Sequence, residues 1–418
     1  MQYRLFAIAA VLANAAFIAA APATSLRDDI IRDSWIITLR DDAPDSVFNG
    51  FQRHFLKRSE EGHIQINHEY DTGAGSFRGF ALSGPSDAVM ALSESEWVEN
   101  IEQDRWFSLS VDKPSEHREN GSVPVKHHTK PLDKFQWNLE RISHKGHHAP
   151  PKDSEYLCPD GCGAGTYIYV IDSGVSPHSE FEGRLEEGLN LCEDKYDLDG
   201  HGTHVAGIAA GRNRGVAQNA EIISVKVFCH NGAGTGADVV KGVTWAINDV
   251  VSKGRTGKAV FNLSFGGKRS GLPGTRDVIM KVVAKAYEAG IFVAVAAGNQ
   301  GIDAFNTSPA AEPAACTAGG INEAGKFYHG TNWGRAVDVL APAVKVWSAS
   351  FRGPENITAM SGTSMAAPHV AGVAATLLGS GKNILPHELC SQLNVMGDTL
   401  QGPIPGNTTK QMLWNGAS

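Results

Sequence analysis

The sequence lacks basic clusters. Its 418 residues carry 37 Lys and Arg against 45 Asp and Glu, a net charge of -8. That balance argues against binding along a phosphate backbone. Beyond its amino terminus the chain also lacks any apolar run long enough to cross a bilayer. Long disordered stretches are disfavoured too, since 42% of residues are apolar and only 20% charged. The length exceeds one ordinary compact core, so two or more folding units are expected.

The amino terminus has the layout of a secretory signal peptide. Arg4 is followed by an Ala-rich apolar run from Leu5 to Ala21, ending in small residues before Pro22. Residues 1–21 are therefore expected to be removed and the protein to be secreted and extracellular. In an oxidising compartment the six cysteines, Cys158, Cys162, Cys192, Cys229, Cys316 and Cys390, favour disulfides. Asn-x-Ser/Thr sites stand at Asn120, Asn262, Asn306, Asn356 and Asn407. Asn262 sits in an apolar strand and is expected to stay bare.

Two units follow. Residues 34–111 read as a small α+β domain. Strand-like runs at Ser34–Leu39, Phe77–Ser83 and Val98–Leu109 flank a helical face of Val47, Phe48, Phe51, His54 and Phe55, and Pro85 opens a second helical stretch. Residues 112–135 are polar, contain three Pro, and read as a linker. Residues 136–418 alternate. Strands are expected at 166–171, 221–228, 259–265 and 291–296, and helices at 204–211, 238–251, 275–289 and 364–378. That order implies an α/β fold, a doubly wound, mostly parallel sheet with helices on both faces. Ligands in such folds bind beyond the carboxyl ends of the strands.

Four residues stand at such places. Asp172 follows its strand in Ile171-Asp172-Ser173-Gly174; alone, it reads equally as a turn cap. His201 opens a helix in His201-Gly-Thr-His-Val-Ala-Gly207, where a zinc site shared with His204 is the weaker reading, because the spacing is short and no Glu base is present. Ser364 lies in Gly362-Thr-Ser-Met-Ala-Ala-Pro-His369, at a helix start framed by small residues, where a plain N-cap is the alternative. Asn299, in Ala296-Ala297-Gly298-Asn299, offers a side-chain amide beside a strand end. A serine hydroxyl needs a base, and the base needs an orienting acid. Asp172, His201 and Ser364 supply that set.

The three segments around Asp172, His201 and Ser364 resemble the active-site signatures of the subtilisin-like serine proteases. The likeness runs from about Gln136 to the carboxyl terminus and is nearest to the proteinase K-like branch of secreted fungal and bacterial enzymes. The acid–base–nucleophile order is the one the subtilisin archetype is known for. The resemblance implies a broad-specificity endopeptidase working through an acyl-enzyme, with Asp172 orienting His201, His201 as base, Ser364 as nucleophile, and Asn299 completing the oxyanion hole. It implies that Gly232-Ala233-Gly234 and Ser264-Phe265-Gly266, with Ala297 and Gly298, line the substrate. Phe265 replaces the family's usual Leu. It implies disulfides Cys316–Cys390 and Cys192–Cys229. The pairing of Cys158 with Cys162 stays open against a zinc site with His147 and His148. It implies structural Ca2+ on Pro313, Ala315 and Asp338, with no cofactor for catalysis. Residues 34–111 resemble the family's inhibitory propeptide, so self-processing within 112–135 is expected. Expected partners are protein and peptide substrates and the propeptide, without nucleic acid or membrane, and the expected state is a monomer. A protease cutting after basic residues would need acidic residues near Ser264–Gly267, and none is there. An inactive binding protein would not need the Asp–His–Ser set.

Overall fold

The computed structural model describes residues 29–60, 64–73, 77–109, 116–118, 129–131, 136–146, 155–229, 232–271 and 275–417. The expected signal peptide, Asn120, His147, His148 and most of the linker lie outside these residues. So does the greater part of the expected maturation region.

The amino-terminal unit runs β1 (Ile30–Leu39), α1 (Asp45–Glu60), β2 (Gln65–Asp71), β3 (Arg78–Ser83), α2 (Ser86–Met90) and β4 (Val98–Ser108). Its strands pair antiparallel in the order β4-β1-β3-β2. α1 presents Phe48 and Phe55 to Phe80, with ring centroids 4.9 and 5.1 Å apart. Trp35, Ile37, Leu39 and Leu82 complete this core, which draws on no residue from the larger body. Two short strands in the linker, β5 (Glu116–Arg118) and β6 (Thr129–Pro131), were not expected from its polar composition.

The larger body starts with α3 (Trp137–Ser143) and β7 (Glu155–Leu157), which pairs with β6. The main elements follow: β8 (Tyr167–Asp172), β9 (Leu185–Asn190), α4 (His201–Ala210), β10 (Glu221–Lys226), β11 (Ala233–Thr235), α5 (Gly236–Ser252), β12 (Ala259–Leu263), β13 (Gly267–Lys268), α6 (Val278–Glu288), β14 (Phe292–Ala296) and β15 (Thr307–Ser308). The chain closes with β16 (Cys316–Ile321), β17 (Val339–Pro342), β18 (Val346–Ala349), β19 (Asn356–Met360), α7 (Thr363–Gly379), α8 (Pro386–Met396), β20 (Asp398–Thr399) and β21 (Gln411–Met412). A nine-stranded sheet has the order β20-β21-β17-β16-β14-β12-β8-β10-β9. All its pairs are parallel except β20 with β21. β18, β19 and β5 form a separate antiparallel sheet.

Each face of the large sheet has its own core. One packs α4 and the Ala-rich α7 against the sheet, and every residue of α7 from Thr363 to Leu377 is buried. A helix apolar all round belongs at such a centre. The other core lies under α5 and α6 and includes Ile36, Tyr70, Phe77, Ala81 and Phe107 of the amino-terminal unit. The two units thus share apolar packing. The chain leaves β8 toward β10 and β9 on one side and toward β12 and β14 on the other. Asp172 ends β8, so it stands at the point where the winding reverses.

Candidate active site

Asp172 and His201 are brought together in full burial, each 0% exposed. His201 is the first residue of α4, behind Gly200 in the left-handed region. Its Nδ1–H donates to Asp172 Oδ1 at 2.7 Å, and the same oxygen accepts the Ser173 N–H at 2.7 Å. Burial disfavours the imidazolium, but the Asp172 charge and hydrogen bond outweigh it and hold His201 above its ordinary pKa. His201 Nε2 makes no hydrogen bond with the described residues.

A further buried carboxylate, not picked out in the sequence, sets this geometry. Asp197 Oδ1 accepts from Ser173 Oγ, Asp199 N and Gly200 N at 2.9, 3.1 and 2.8 Å. Its Oδ2 accepts from Thr203 N and Thr203 Oγ1 at 2.9 and 2.7 Å. Asp197 therefore ties the end of β8 to the first turn of α4, and so fixes Asp172 against His201. Its only signal in the sequence was an Asp four places before a helix-opening His, beside a Gly.

Ser364 is the second residue of α7, whose N-cap is Gly362, so the reading of Ser364 as a cap does not hold. Its hydroxyl donates to the Ser264 carbonyl at 2.8 Å rather than to His201. Ser264 Oγ in turn donates to the Ser364 carbonyl at 2.8 Å, and Asn262 Nδ2 donates to Ser264 Oγ at 2.9 Å. The end of β12 is thereby stitched to the start of α7. A side-chain rotation is needed before Ser364 meets His201, a common looseness in sites without substrate.

Asn299 follows β14. Its Oδ1 accepts from Thr363 N at 2.8 Å and Thr363 Oγ1 at 3.1 Å, which turns the Nδ2 group toward Gly362. A β-carbon on Gly362, at φ +145°, would lie 3.1 Å from that Nδ2, so only glycine leaves the amide its place. Ala297 is fully buried, and Gly298 N donates to Thr363 Oγ1 at 3.0 Å. These two stand behind the cleft wall.

His204 and His369 are structural. His204 Nε2 lies 3.0 Å from the Val346 carbonyl and 3.1 Å from that of Thr358, and burial pushes its pKa down to about 3. That leaves no zinc pair with His201. His369, lowered to about 4 by burial, bonds Met365 O and Asn138.

The Gly232–Gly234 and Ser264–Gly266 edges flank one extended segment, and it comes from this chain. β4 pairs antiparallel with β11, with Ser108 opposite Ala233, Phe107 opposite Gly234 and Trp106 opposite Thr235. Leu109 N donates to Gly232 O at 3.0 Å, and Ser108 bridges to Gly266. Phe107 is 5% exposed. Its ring meets Phe265 edge-on at 6.4 Å, and Phe265 leans on Phe228 at 5.0 Å. A β-carbon on Gly267 would stand 2.5 Å from the Phe107 ring. Phe265 therefore walls the pocket that Phe107 fills. Asp104 of β4 caps α5 by accepting the Ala237 N–H at 3.1 Å, and burial holds its carboxyl up at about 6.

Comparison with known proteins shows the family. A family model described as the subtilase family matches residues 163–402. The chain belongs to the subtilase family. It is similar to subtilisin-like protease 3 of Trichophyton tonsurans, at 34% identity over 93% of this chain and 92% of that protein. It is also similar to subtilisin-like protease 3 of Pseudogymnoascus destructans, at 37% identity over 85% and 83%. Among solved structures, a cold-adapted subtilisin-like serine proteinase matches with TM-score 0.59 and 36% identity, covering 68% of this chain and 98% of that one. As a subtilase this protein is a serine endopeptidase with a subtilisin-like fold.

The cysteines of this subtilase form three disulfides: Cys158–Cys162, Cys192–Cys229 and Cys316–Cys390. The first closes the open pairing and removes the zinc alternative. Asp338 borders a cavity of about 400 Å³ that Pro313 and Ala315 also line. Its carboxylate accepts one hydrogen bond, from Thr317 N at 2.8 Å, and burial raises its pKa to about 6. A half-buried carboxylate with one hydrogen bond, on a cavity wall shared with Pro313 and Ala315, is an oxygen ligand of the kind that suits calcium. No helix among the described residues is long and apolar enough to cross a membrane.

Proposed function

We propose that the protein is a secreted, broad-specificity serine endopeptidase, made as a self-processing zymogen. The observation that carries the reading is the buried Asp172–His201 pair, with His201 Nε2 left open, in a chain that also starts α7 with Ser364. A substrate strand enters between β11 and the Ser264–Gly266 edge. The chain's own β4 occupies that slot, which supports an inhibitory role for residues 34–111. Leu109 lies against Gly232, and Gly232 borders Asp199, two residues before His201. We assign the maturation cut to residues 112–135, which follow β4 in the chain.

In the reaction Ser364 Oγ turns from the Ser264 carbonyl to His201 Nε2, gives up its proton, and attacks the substrate carbonyl. Asp172 holds the imidazolium that forms. The developing oxyanion is met by Asn299 Nδ2 and the Ser364 N–H, which lies in the first turn of α7 and has no partner within the helix. His201 returns its proton to the leaving amine, and water then repeats the cycle on the acyl-enzyme. Binding is mostly main chain to main chain, which accounts for broad specificity. Lys268 and Arg269, not carboxylates, follow the Gly266–Gly267 edge, which disfavours a requirement for basic substrates. Calcium, held by Pro313, Ala315 and Asp338, would serve stability alone. We assign a monomer.

The test is the secreted chain beside Ser364→Ala, each examined by intact mass and casein digestion. The wild type should be shortened by a cut within residues 112–135 and active. The variant should remain joined to residues 34–111 and inert. A variant that loses those residues in purified form overturns self-processing.

A further inference from the structure

The Asn-x-Ser/Thr sites are not equivalent once folded. Asn262 is fully buried with its amide on Ser264, so a sugar there has no room. Asn356 is half-buried in β19. Asn407 is exposed, between β20 and β21. Asn306 is exposed too, and its position is distinctive. It ends a short turn directly before β15, and β15 pairs with β13, the continuation of the substrate edge.

That turn is held firmly. Asn306 N donates to Asp303 O, and Arg269 N donates to Asn306 O, both at 3.0 Å. The Arg269 guanidinium lies over the Phe305 ring at 4.5 Å. Asn306 stands on the wall of a cavity of about 470 Å³ whose other walls include Gly267, Gln300, Ile302 and Thr307. Gln300, on its wall, accepts the main-chain N–H of Asn299 at 3.1 Å, so this cavity lies one residue along the chain from Asn299.

We propose that Asn306 is an N-glycosylation site whose oligosaccharide stands at the rim of the catalytic cleft and screens substrates by bulk. The proposal rests on the secretory reading above. The oligosaccharide comes from a lipid-linked diphosphate donor: a C1–Nδ2 glycosidic bond forms in the Asn306-Thr307-Ser308 sequon as the C1–O bond to the diphosphate breaks, Nδ2 gives up a proton and the lipid diphosphate leaves, before Ser308 becomes buried against Asp277. Short extended peptides slide under a hydrated, surface-anchored chain of sugars. A folded or bulky protein presenting the same segment collides with it. Among the described residues no side-chain hydrogen bond joins Asn306 to Asp172, His201, Ser364 or Asn299, so its sugar acts on access and not on the chemical step.

The test uses the full chain secreted from a glycosylating eukaryotic host. Glycopeptide mapping should find Asn306 occupied. Casein digestion and hydrolysis of a short chromogenic peptide are then compared for wild type, enzymatically deglycosylated wild type and Asn306→Gln. Loss of the sugar should raise the casein rate severalfold and leave the short-peptide rate unchanged. The deglycosylated wild type gives the answer even if Asn306→Gln folds poorly. A bare Asn306 beside a glycosylated Asn407 overturns the proposal, as does an occupied Asn306 whose removal leaves the rate ratio unchanged. A chain kept inside the cell with residues 1–21 attached and no sugar anywhere fails the secretory reading itself, and is distinguished by its intact amino terminus.

Discussion

Phe107→Ala is the most informative change to the inhibitory contact. The Phe107 ring is almost wholly enclosed, edge-on to Phe265 and over Gly267. Truncating an enclosed Phe to Ala costs about 3–5 kcal/mol in a core. Each 1.4 kcal/mol is about tenfold in an equilibrium constant. Water re-enters the vacated pocket at an interface, so the lower end applies, about a hundredfold weaker inhibition. The main-chain bonds to Gly232, Ala233 and Gly234 survive the change, so binding should weaken and not vanish. The assay adds the amino-terminal unit in trans to mature enzyme and measures its inhibition constant on a short peptide. The unit has its own core around Phe48, Phe55 and Phe80, which Phe107 does not join, so its fold should persist and circular dichroism checks it. Phe265→Ala in the enzyme should be non-additive with Phe107→Ala, since the rings touch. A change smaller than about threefold would refute the idea that this pocket anchors the inhibitor.

Asp172→Asn should reduce kcat by about ten-thousandfold, because the imidazole loses the partner that sets its tautomer. In the wild type, kcat/KM should rise with pH as His201 loses its proton, with a midpoint above the ordinary histidine value. Asn299→Ala should cost about a hundred- to a thousandfold in kcat with little change in KM; that magnitude is the known subtilisin case, here applied to a relative. Asp104 titrates at about 6 in the assembled chain against an ordinary 3.8. Its raised value means the contact with α5 is favoured when protonated and weakens as pH rises through about 6. Inhibition in trans should therefore tighten from pH 8 to pH 5, and Asp104→Asn should flatten that slope. Chelation should lower the melting temperature of wild type but not of Asp338→Asn, read by calorimetry.

The alternation of strand and helix was legible because each element carries its own period and its own capping signals. The α5 helix, with Thr235 and Asp238 forming a capping box, is one example. The triad was legible because chemistry forces three residue types into Gly-framed positions at strand ends. Asp197 escaped notice because the bond that ties β8 to α4, from Ser173 Oγ, joins segments that only folding brings together. The partner of β11 was legible only through resemblance: nothing local in Ala233-Gly-Thr says that Trp106 to Ser108 lies beside it, whereas an inhibitory propeptide implies that its last residues occupy the cleft. The short pairing of linker residues with β7 and β19 was missed, since edge-strand addition leaves little trace in composition. The zinc alternative at His204 was weak on spacing alone, and its burial between two carbonyls supplies the physical reason against it.

Binding through backbone edges has a consequence for which proteins this enzyme destroys. The slot between β11 and Gly266 accepts only chain already drawn out straight, with its amides and carbonyls unspent. A helix or a paired strand offers none. The rate at which a folded protein is cut is then governed by how often it opens a stretch of chain, a property of the victim's own stability. Two targets with the same residues at the cut would differ in lifetime by the free energy of their local opening. The enzyme would thus sort its targets by their looseness before it read a single side chain.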